Sequence, residues 1–242
     1  MPTSSTVIAA LKFQDGVIIA GDSQASDPVA GVRWPTGKLF RPNPSFPLVI
    51  GFSGSVGRAQ RAVGELQETK LHQNQFKNRG TIQKVIDNCL SPVFQEIREK
   101  ADPRRNDLWN MTLWGLGAVW AGDQPHIIEL EFNTDSSFHD FFHAIGSGAQ
   151  TAYAVFRTLG GRNLVGLDEP RAIMAMLRIL RTAVDVDMSG VSPPFAAWVI
   201  TASKVRSIGQ DELLPNNQLI DQWEAEERRY LFGGTDPGTE SA

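Results

Sequence analysis

Three residues that could together form a nucleophile system stand at equal intervals near the start of the chain. Thr6, Asp22 and Lys38 are sixteen residues apart, and each lies at the edge of a segment whose pattern predicts a β-strand. A threonine at a free N-terminus carries a hydroxyl nucleophile and, in its own α-amine, a base. This chemistry requires removal of Met1–Ser5. The plainer interpretation is that Thr6 begins a strand, Asp22 ends one and Lys38 is a surface charge.

If the three residues form a nucleophile system, the lysine tunes the pKa of the α-amine and the aspartate holds the lysine. An α-amine has an ordinary pKa of about 7.7–8.0, so it can accept a proton near neutral pH. An ammonium group nearby depresses that pKa further, because it disfavours a second positive charge. Lys38 could supply this ammonium group, and an ionised Asp22 would hold the lysine in place and keep it charged.

Two glycine-serine segments could complete such a site. Gly51–Ser55 ends a predicted strand and runs into a predicted helix, where the backbone N–H of Gly54 could stabilise an oxyanion. The alternative is a simple tight turn. The segment Gly146–Gly148 has the same strand-to-helix position, and Ser147 could either hydrogen-bond the catalytic amine or cap the next helix.

Composition narrows the class of protein. The 242 residues are 41% hydrophobic and 21% charged, with a net charge of −4, which is typical of a globular protein without the basic face of a nucleic-acid binder. The single cysteine, Cys89, is expected to be buried packing in a reducing compartment. Met1–Ser5 lacks the features of a signal peptide, and no apolar run is long enough to span a bilayer. We therefore expect a cytoplasmic protein.

The histidines give no metal-ligand pattern in the sequence. His139 and His143 are four residues apart, but we expect them in one strand, where they would face the same side only loosely. We therefore expect neither a metal nor a cofactor. The four histidines are His72, His126, His139 and His143.

Apolar periodicity predicts the order strands, two helices, strands, two helices, strands. The economical packing of this order is two stacked sheets with helices outside, an α+β sandwich. We expect a loop at Ser26–Gly37 and a disordered tail from Gly233. The predicted strands are Val7–Phe13, Val17–Ala20, Lys38–Phe40, Leu48–Phe52, Met111–Trp120, His126–Phe132, Phe138–Ile145 and Phe195–Thr201, and the predicted helices are Ser55–His72, Thr81–Lys100, Ala149–Leu159 and one from Asp168.

Four segments of the sequence resemble a known family. Lys12–Ser26, which reads KFQDGVIIAGDSQAS, resembles the opening of proteasome β-type subunits. Gly37–Phe40, Gly51–Gln60 and Ala144–Gly148 resemble the next three landmarks of that family, in the same order and at similar spacing. The resemblance covers roughly Thr6–Thr201, and among relatives it is strongest to bacterial HslV-like and Anbu-like peptidases.

The resemblance implies a fold and a set of catalytic roles. The family has a four-layer αββα sandwich of the N-terminal-nucleophile hydrolase type, and its subunits form stacked rings with the active sites inside. An aspartate late in the chain also supports the family's site, and Asp187 is the better candidate here than Asp185. The implied catalytic residues are Thr6 as nucleophile and base, Asp22 and Lys38 as the charge pair, Gly54 as oxyanion donor, Ser147 as support for the amine, and Asp187.

The resemblance also implies a substrate pocket. Phe52 would shorten this pocket, so medium apolar or small side chains are expected at the cleaved position. The pocket positions are Ala25, Thr36, Phe40, Phe52 and Val56.

Two departures from the family pattern bear on activity. Family precursors often have glycine before the catalytic threonine, where this chain has Ser5. The late Asp-x-x-Ser-Gly motif is imperfect, because neither Asp185 nor Asp187 has the usual spacing to Ser189.

The sequence predicts a threonine endopeptidase that cleaves its own chain before Thr6 and then degrades unfolded polypeptides or peptides inside a homo-oligomeric double ring. The leading alternative is a catalytically silent ring subunit, and an amidase acting on a small amide is a third. Neither nucleic acid nor membrane is expected as a partner, and an unfoldase ATPase partner stays undetermined.

The expected layout is a propeptide at 1–5, one domain at 6–232 and the tail at 233–242.

Overall fold

The computed structural model describes residues 6–27, 32–35, 37–69, 76–100, 113–131, 136–186 and 194–232. Within these residues the chain alternates between strands and helices in the predicted order, with several additional elements. The strands are β1 Ile8–Phe13, β2 Gly16–Asp22, β3 Gln24–Asp27, β4 Val32–Pro35, β5 Leu39–Phe40, β6 Leu48–Gly54, β7 Leu113–Ala121, β8 Gln124–Glu131, β9 Ser137–His139, β10 Phe142–Ile145, β11 Phe195–Thr201 and β12 Val205–Ser207. The helices are α1 Val56–Glu68, α2 Arg79–Lys100, α3 Ala149–Thr158, a 3₁₀ segment Gly161–Gly166, α4 Glu169–Val186 and α5 Gln210–Phe232.

The first sheet grows from the hairpin that the sequence predicts at its start. Strands β1 and β2 pair antiparallel across the turn at Gln14 and Asp15, with Phe13 opposite Gly16 and Ile8 opposite Gly21. The five strands of this sheet follow the order β10-β1-β2-β11-β12. The strand β2 therefore lies in the middle, and its last residue, Asp22, is opposite Phe195 of β11.

The second sheet also has five antiparallel strands, in the order β5-β6-β7-β8-β9. The two sheets stack through a shared apolar core, because alternate residues of each strand face the other sheet. Members from the first sheet are Ile8, Ala10, Val17, Ile19, Ile145 and Ile200, and members from the second are Val49, Leu116, Ala118 and Ile127.

Helices cover the outer faces of both sheets. The opposite face of the second sheet, with Leu48 and Ile50, packs against α1 and α2 in another buried cluster that includes Leu66 and Ile86. On the first sheet, α3 and α4 contact each other, α3 contacts β10, and α4 contacts β1 and β2. The result is an α+β sandwich with two antiparallel sheets in the centre, which confirms the predicted fold class.

Two expectations about the strands are wrong. The segment Ser26–Gly37 is not a plain loop, because it contains the end of β3 and all of β4, which pair antiparallel. The predicted strand Phe138–Ile145 is two strands: β9 pairs with β8 in the second sheet, whereas β10 pairs with β1 in the first. The chain thus crosses between the sheets at Asp140 and Phe141, a break that the continuous apolar pattern hides.

The chain divides into two compact units, 1–207 and 208–242. Helix α5, which the sequence analysis did not predict, is the described element of the second unit; it has Asp211 and Glu212 in its first turn and Pro215 inside it. The boundary of the predicted domain at 232 stays a prediction, and the predicted propeptide and tail lie outside the described residues. Among the described helices, none combines the length and apolar character needed to cross a bilayer.

Cys89 occupies the position that the helical pattern indicates. It is half-buried on α2 and packs against the cluster between α1, α2 and the second sheet. Burial raises the pKa of its thiol, so the thiol stays protonated at neutral pH and acts as packing.

The core between the sheets offers a direct test of the packing. Leu116 on β7 is fully buried there, and Leu116→Ala should lower the free energy of unfolding by about 3 kcal/mol, because a cavity replaces the lost side chain. The matched control is Leu214→Ala on α5, where the leucine is 61% exposed and the expected change is within about 0.5 kcal/mol. Urea denaturation of both variants measures the difference, and equal losses would contradict this packing.

Candidate active site

The backbone around Thr6 is held by the turn that follows β10. The Thr6 N–H donates to Ser147 Oγ at 3.1 Å, and the Thr6 carbonyl oxygen accepts from the Gly148 N–H at 3.2 Å. Gly146 has φ +92°, and a Cβ on it would lie 2.1 Å from the Thr6 carbonyl oxygen. Only glycine fits at that position, so the Gly146–Gly148 segment closely surrounds the backbone of Thr6.

The side chains of Thr6, Lys38 and Asp22 form one buried row. Lys38 Nζ donates to Thr6 Oγ1 at 2.9 Å and to Asp22 Oδ2 at 2.7 Å. All three residues are buried; Asp22 is fully inaccessible and Lys38 is 7% exposed. The structure therefore brings together the three residues whose spacing suggested a site, and Lys38 is not the surface charge of the plainer interpretation.

Asp22 holds two parts of the site at once. Its Oδ2 accepts from Lys38, and its Oδ1 accepts from the Val7 N–H at 3.0 Å. The Asp22 N–H also donates to the Val7 carbonyl oxygen at 3.2 Å. A single carboxylate thus fixes both the ammonium group and the backbone one residue after Thr6. The Val7 contact is a feature that the sequence analysis missed, since a backbone donor leaves no signal in the residue types.

Two opposing effects act on the pKa of Lys38. Burial lowers the pKa of Lys38, and the adjacent Asp22 carboxylate, by its charge and its hydrogen bond, raises it in part. The pKa remains below its usual value. An ammonium group of this kind gives up a proton more readily than an exposed lysine, and it donates strongly to the Thr6 hydroxyl oxygen.

Strand β6 positions the lysine and the glycine-rich turn. The Phe52 N–H donates to the Lys38 carbonyl oxygen at 3.3 Å, which ties the segment before β5 to β6. Gly54, the last residue of β6, is exposed and has φ +113°, a conformation that favours glycine. It immediately precedes Ser55, the N-cap of α1. A role for Gly54 in binding an oxyanion stays a prediction.

Ser147 is not the capping residue that the alternative interpretation requires. The N-cap of α3 is Gly148, and it has no side-chain cap bond. The Ser147 hydroxyl instead accepts the hydrogen bond from the Thr6 N–H. Its position therefore fits a support for the amine of Thr6 better than a helix cap.

The predicted pocket residues have different environments. Phe52 is buried in the cluster between the second sheet and α1 and α2, and Phe40 packs against the same cluster. Val56, the first residue of α1, is 38% exposed. Ala25 lies on β3, whose side chains lie outside the described residues, as does Thr36. The pocket stays a prediction.

Of the two late aspartates, the structure describes only Asp185. Asp185 is exposed near the end of α4, and no contact with Thr6 or Lys38 is found for it in the described part. Asp187 lies outside the described residues, so its assigned role stays a prediction.

Sequence reasoning also missed a second cluster of polar side chains. Glu129, His139 and His143 place one ligand-type atom each within 4.8 Å of one another. The only available signal was the pair of histidines, and the expectation of one continuous strand obscured it. Glu129 comes from a third strand, β8, which no local pattern connects to the pair.

Comparisons with known proteins agree with this architecture. The sequence model of the family described as proteasome subunit matches residues 1–193. A proteasome subunit beta from Acidimicrobium ferrooxidans is 27% identical over 190 residues, which are 78% of this chain and 66% of that relative. The chain thus spans just under two thirds of that relative's length.

A solved structure of another protein has a similar fold. The Anbu (ancestral beta-subunit) from Yersinia bercovieri matches with a TM-score of 0.71 at 13% identity, over 95% of this chain and 98% of that one. At that identity the likeness concerns the fold alone. The sequence match over most of the chain, together with the sandwich and the buried row at Thr6, shows that the chain belongs to the proteasome subunit family.

Proposed function

We propose that this protein is an N-terminal threonine endopeptidase, activated by cleavage of its own Ser5–Thr6 bond. The observation that carries the proposal is the position of Lys38 Nζ, within hydrogen-bond distance of both Thr6 Oγ1 and Asp22 Oδ2 in a buried site. A threonine that merely began a strand would have no need of a buried ammonium group on its hydroxyl, since burial of a charge is costly.

Activation transfers an acyl group within the chain. Thr6 Oγ1 attacks the carbonyl carbon of Ser5 and gives up its proton, and the C–N bond breaks as that proton passes to Thr6 nitrogen, which becomes a free amine. Water then hydrolyses the resulting ester, which releases Met1–Ser5 and restores the hydroxyl. The nitrogen already lies 3.1 Å from Ser147 Oγ, so the amine is formed next to a group that can hold it.

Peptide hydrolysis follows the same two stages with the free amine as base. Thr6 Oγ1 attacks the scissile carbonyl while the α-amine accepts its proton, and the amine returns that proton to the leaving amino group. Water hydrolyses the acyl-enzyme. Lys38 stabilises the developing charge on Oγ1 and disfavours a second positive charge on the amine, Asp22 holds Lys38, and the Gly54 N–H is proposed as the oxyanion donor.

Substrates and assembly are part of the same proposal. Membership of the proteasome subunit family supports stacked rings of this chain in the cytoplasm, with the Thr6 hydroxyl facing a chamber that admits unfolded polypeptides. The proposed pocket comprises Ala25, Thr36, Phe40, Phe52 and Val56, and Asp187 is proposed to support the amine.

Intact-mass measurement of the purified, untagged protein tests the activation step. We expect the mass of a chain that begins at Thr6, because a hydroxyl next to an ammonium group should be able to attack the preceding carbonyl. Loss of Met1 alone exposes Pro2 and is readily distinguished by mass.

The matched variant is Ser5→Gly, which restores the residue that family precursors often carry. We expect it to be processed at least as completely as the native chain. Retention of Met1–Ser5 in both proteins after prolonged incubation would contradict the proposal and favour the silent ring subunit.

A further inference from the structure

A cluster of three ligand-type side chains lies outside the site at Thr6. Glu129 comes from β8, His139 from β9 and His143 from β10. Both imidazole Nε2 atoms lie 2.9 Å from the same carboxylate oxygen, Glu129 Oε2. Two nitrogens from two different strands therefore approach one carboxylate oxygen, which makes a convergent set of ligand-type atoms.

The contact of His143 with the carboxylate is poorly aligned. His143 is 9% exposed, and its buried Nε2 lies 2.9 Å from Glu129 Oε2 as an ion-pair contact whose geometry is not that of a hydrogen bond. A metal ion between the two atoms would give each of them a directed bond.

The two imidazoles are stacked. Their ring centroids are 3.5 Å apart and their planes are inclined by 18°. The two rings thus lie side by side and present their Nε2 atoms to the same carboxylate oxygen.

The far side of the His143 ring has a partner on α3. The other ring nitrogen of His143, Nδ1, lies 2.6 Å from the Tyr153 hydroxyl on α3. A hydroxyl both donates and accepts, so Tyr153 can accept from Nδ1–H when Nε2 binds a metal ion, as the outer partners of metal-bound histidines commonly do.

We propose that Glu129, His139 and His143 bind a divalent transition-metal ion of the Zn²⁺ type. Two imidazoles and one carboxylate are a donor set that suits Zn²⁺, with a fourth position left for water. Ligand atoms about 2.0–2.1 Å from a tetrahedral ion are roughly 3.3 Å apart. The two nitrogen–oxygen separations of 2.9 Å would thus open by only a few tenths of an ångström, and the third pair of ligand atoms, the two nitrogens, lies within 4.8 Å.

The ion would act as a link between the two sheets. Glu129 and His139 belong to the second sheet, whereas His143 belongs to the first. His139 is 27% exposed, which leaves a route for the ion to enter. His143 also lies four residues before Ser147, so the bound ion would anchor the strand that leads to the Thr6 site. The link does not depend on hydrolysis at Thr6.

Titration of the untagged full chain with Co²⁺, followed by Zn²⁺ displacement, tests the proposal. We expect one Co²⁺ per chain with the absorption of four-coordinate Co²⁺, its loss on addition of Zn²⁺, and a higher Tm with Zn²⁺ than after EDTA treatment. Glu129→Gln and His139→Ala should each weaken binding by more than about 100-fold, and Tyr153→Phe by about 10–100-fold. The control is Glu131→Gln on the same strand, which should bind as the native chain does.

Chemical modification of the native chain tests the proposal even if a variant fails to fold. Zn²⁺ should protect His139 from modification by diethyl pyrocarbonate, as read by peptide mass mapping. The proposal is wrong if neither Co²⁺ nor Zn²⁺ binds at millimolar concentration. It is equally wrong if Glu129→Gln and His139→Ala, folded by circular dichroism, bind as tightly as the native chain, or if His139 stays unprotected while Zn²⁺ is bound.

Discussion

Thr6→Ala is expected to reduce hydrolysis of a peptide–fluorophore substrate to background, a loss of at least about 10⁴-fold in kcat/KM. The alanine removes Oγ1, the atom that Lys38 contacts at 2.9 Å and that is proposed to attack the substrate. The same variant should keep Met1–Ser5, because the attack on Ser5 needs the same atom. Initial rates and intact mass, measured on one preparation, check both effects.

The control for this variant is Thr6→Ser. Serine keeps the hydroxyl and loses only a methyl group, so measurable processing and hydrolysis should remain. A Thr6→Ala protein that still turns over substrate would show that another residue is the nucleophile. Activity in neither the native chain nor Thr6→Ser, in a protein that assembles, would favour the silent subunit.

Lys38→Met is expected to have the second largest effect, on both activity and stability. Methionine keeps most of the length of the side chain but removes the ammonium group, which lies 2.7 Å from Oδ2 of the fully buried Asp22 carboxylate. Removal of one partner of a buried pair costs about 3–5 kcal/mol of stability. We expect that loss in urea denaturation and a fall in hydrolysis of about 10²-fold or more.

A double variant separates the two effects. In Lys38→Met with Asp22→Asn the residue at 22 is uncharged, yet its amide oxygen can still accept from the Val7 N–H, which lies 3.0 Å from Oδ1 in the native chain. Most of the lost stability should therefore return, whereas hydrolysis should not. Recovery of hydrolysis together with stability would mean that Lys38 serves only the fold and has no part in the chemistry.

Local sequence signals were sufficient for most of the sandwich. The Asp15-Gly16 pair between two β-rich runs gave the first hairpin, because that dipeptide favours the tight turns that join antiparallel strands. The strand Phe195–Thr201 has the predicted bounds, and the helix at α4 begins just after Asp168, whose Oδ1 accepts from the Arg171 N–H at 3.1 Å. In each case the signal is one or two residue types, or a repeat of apolar residues over a few positions of the chain.

Elements without such a signal were missed. The hairpin of β3 and β4 contains polar residues and a proline, which favour a loop when read alone. Helix α5 has Pro215 inside it, and its acidic first turn was the one available indication of a start. The break between β9 and β10 depends on which sheet each strand joins, and a run of apolar residues looks the same in either sheet.

The candidate site likewise has parts that a local sequence pattern predicts and parts that it does not. Equal spacing placed Thr6, Asp22 and Lys38 in one hypothesis, and the pairing of β1 with β2 accounts for the closeness of the first two. Lys38 is held by the bond from the Phe52 N–H to its carbonyl oxygen, which ties the segment before β5 to β6, and no local pattern encodes this long-range contact. The cluster at Glu129 joins three strands from two sheets, so the sequence showed only its histidine pair and not the carboxylate between them.

The two contacts of Asp22 have a consequence for the proposed maturation. In the uncleaved chain the Thr6 hydroxyl, the Lys38 ammonium group and the Asp22 carboxylate are already aligned. One oxygen of Asp22 holds the main chain at Val7 and the other holds the lysine. Cleavage before Thr6 would therefore require no rearrangement of these side chains, and the new group that it would supply is a titratable amine.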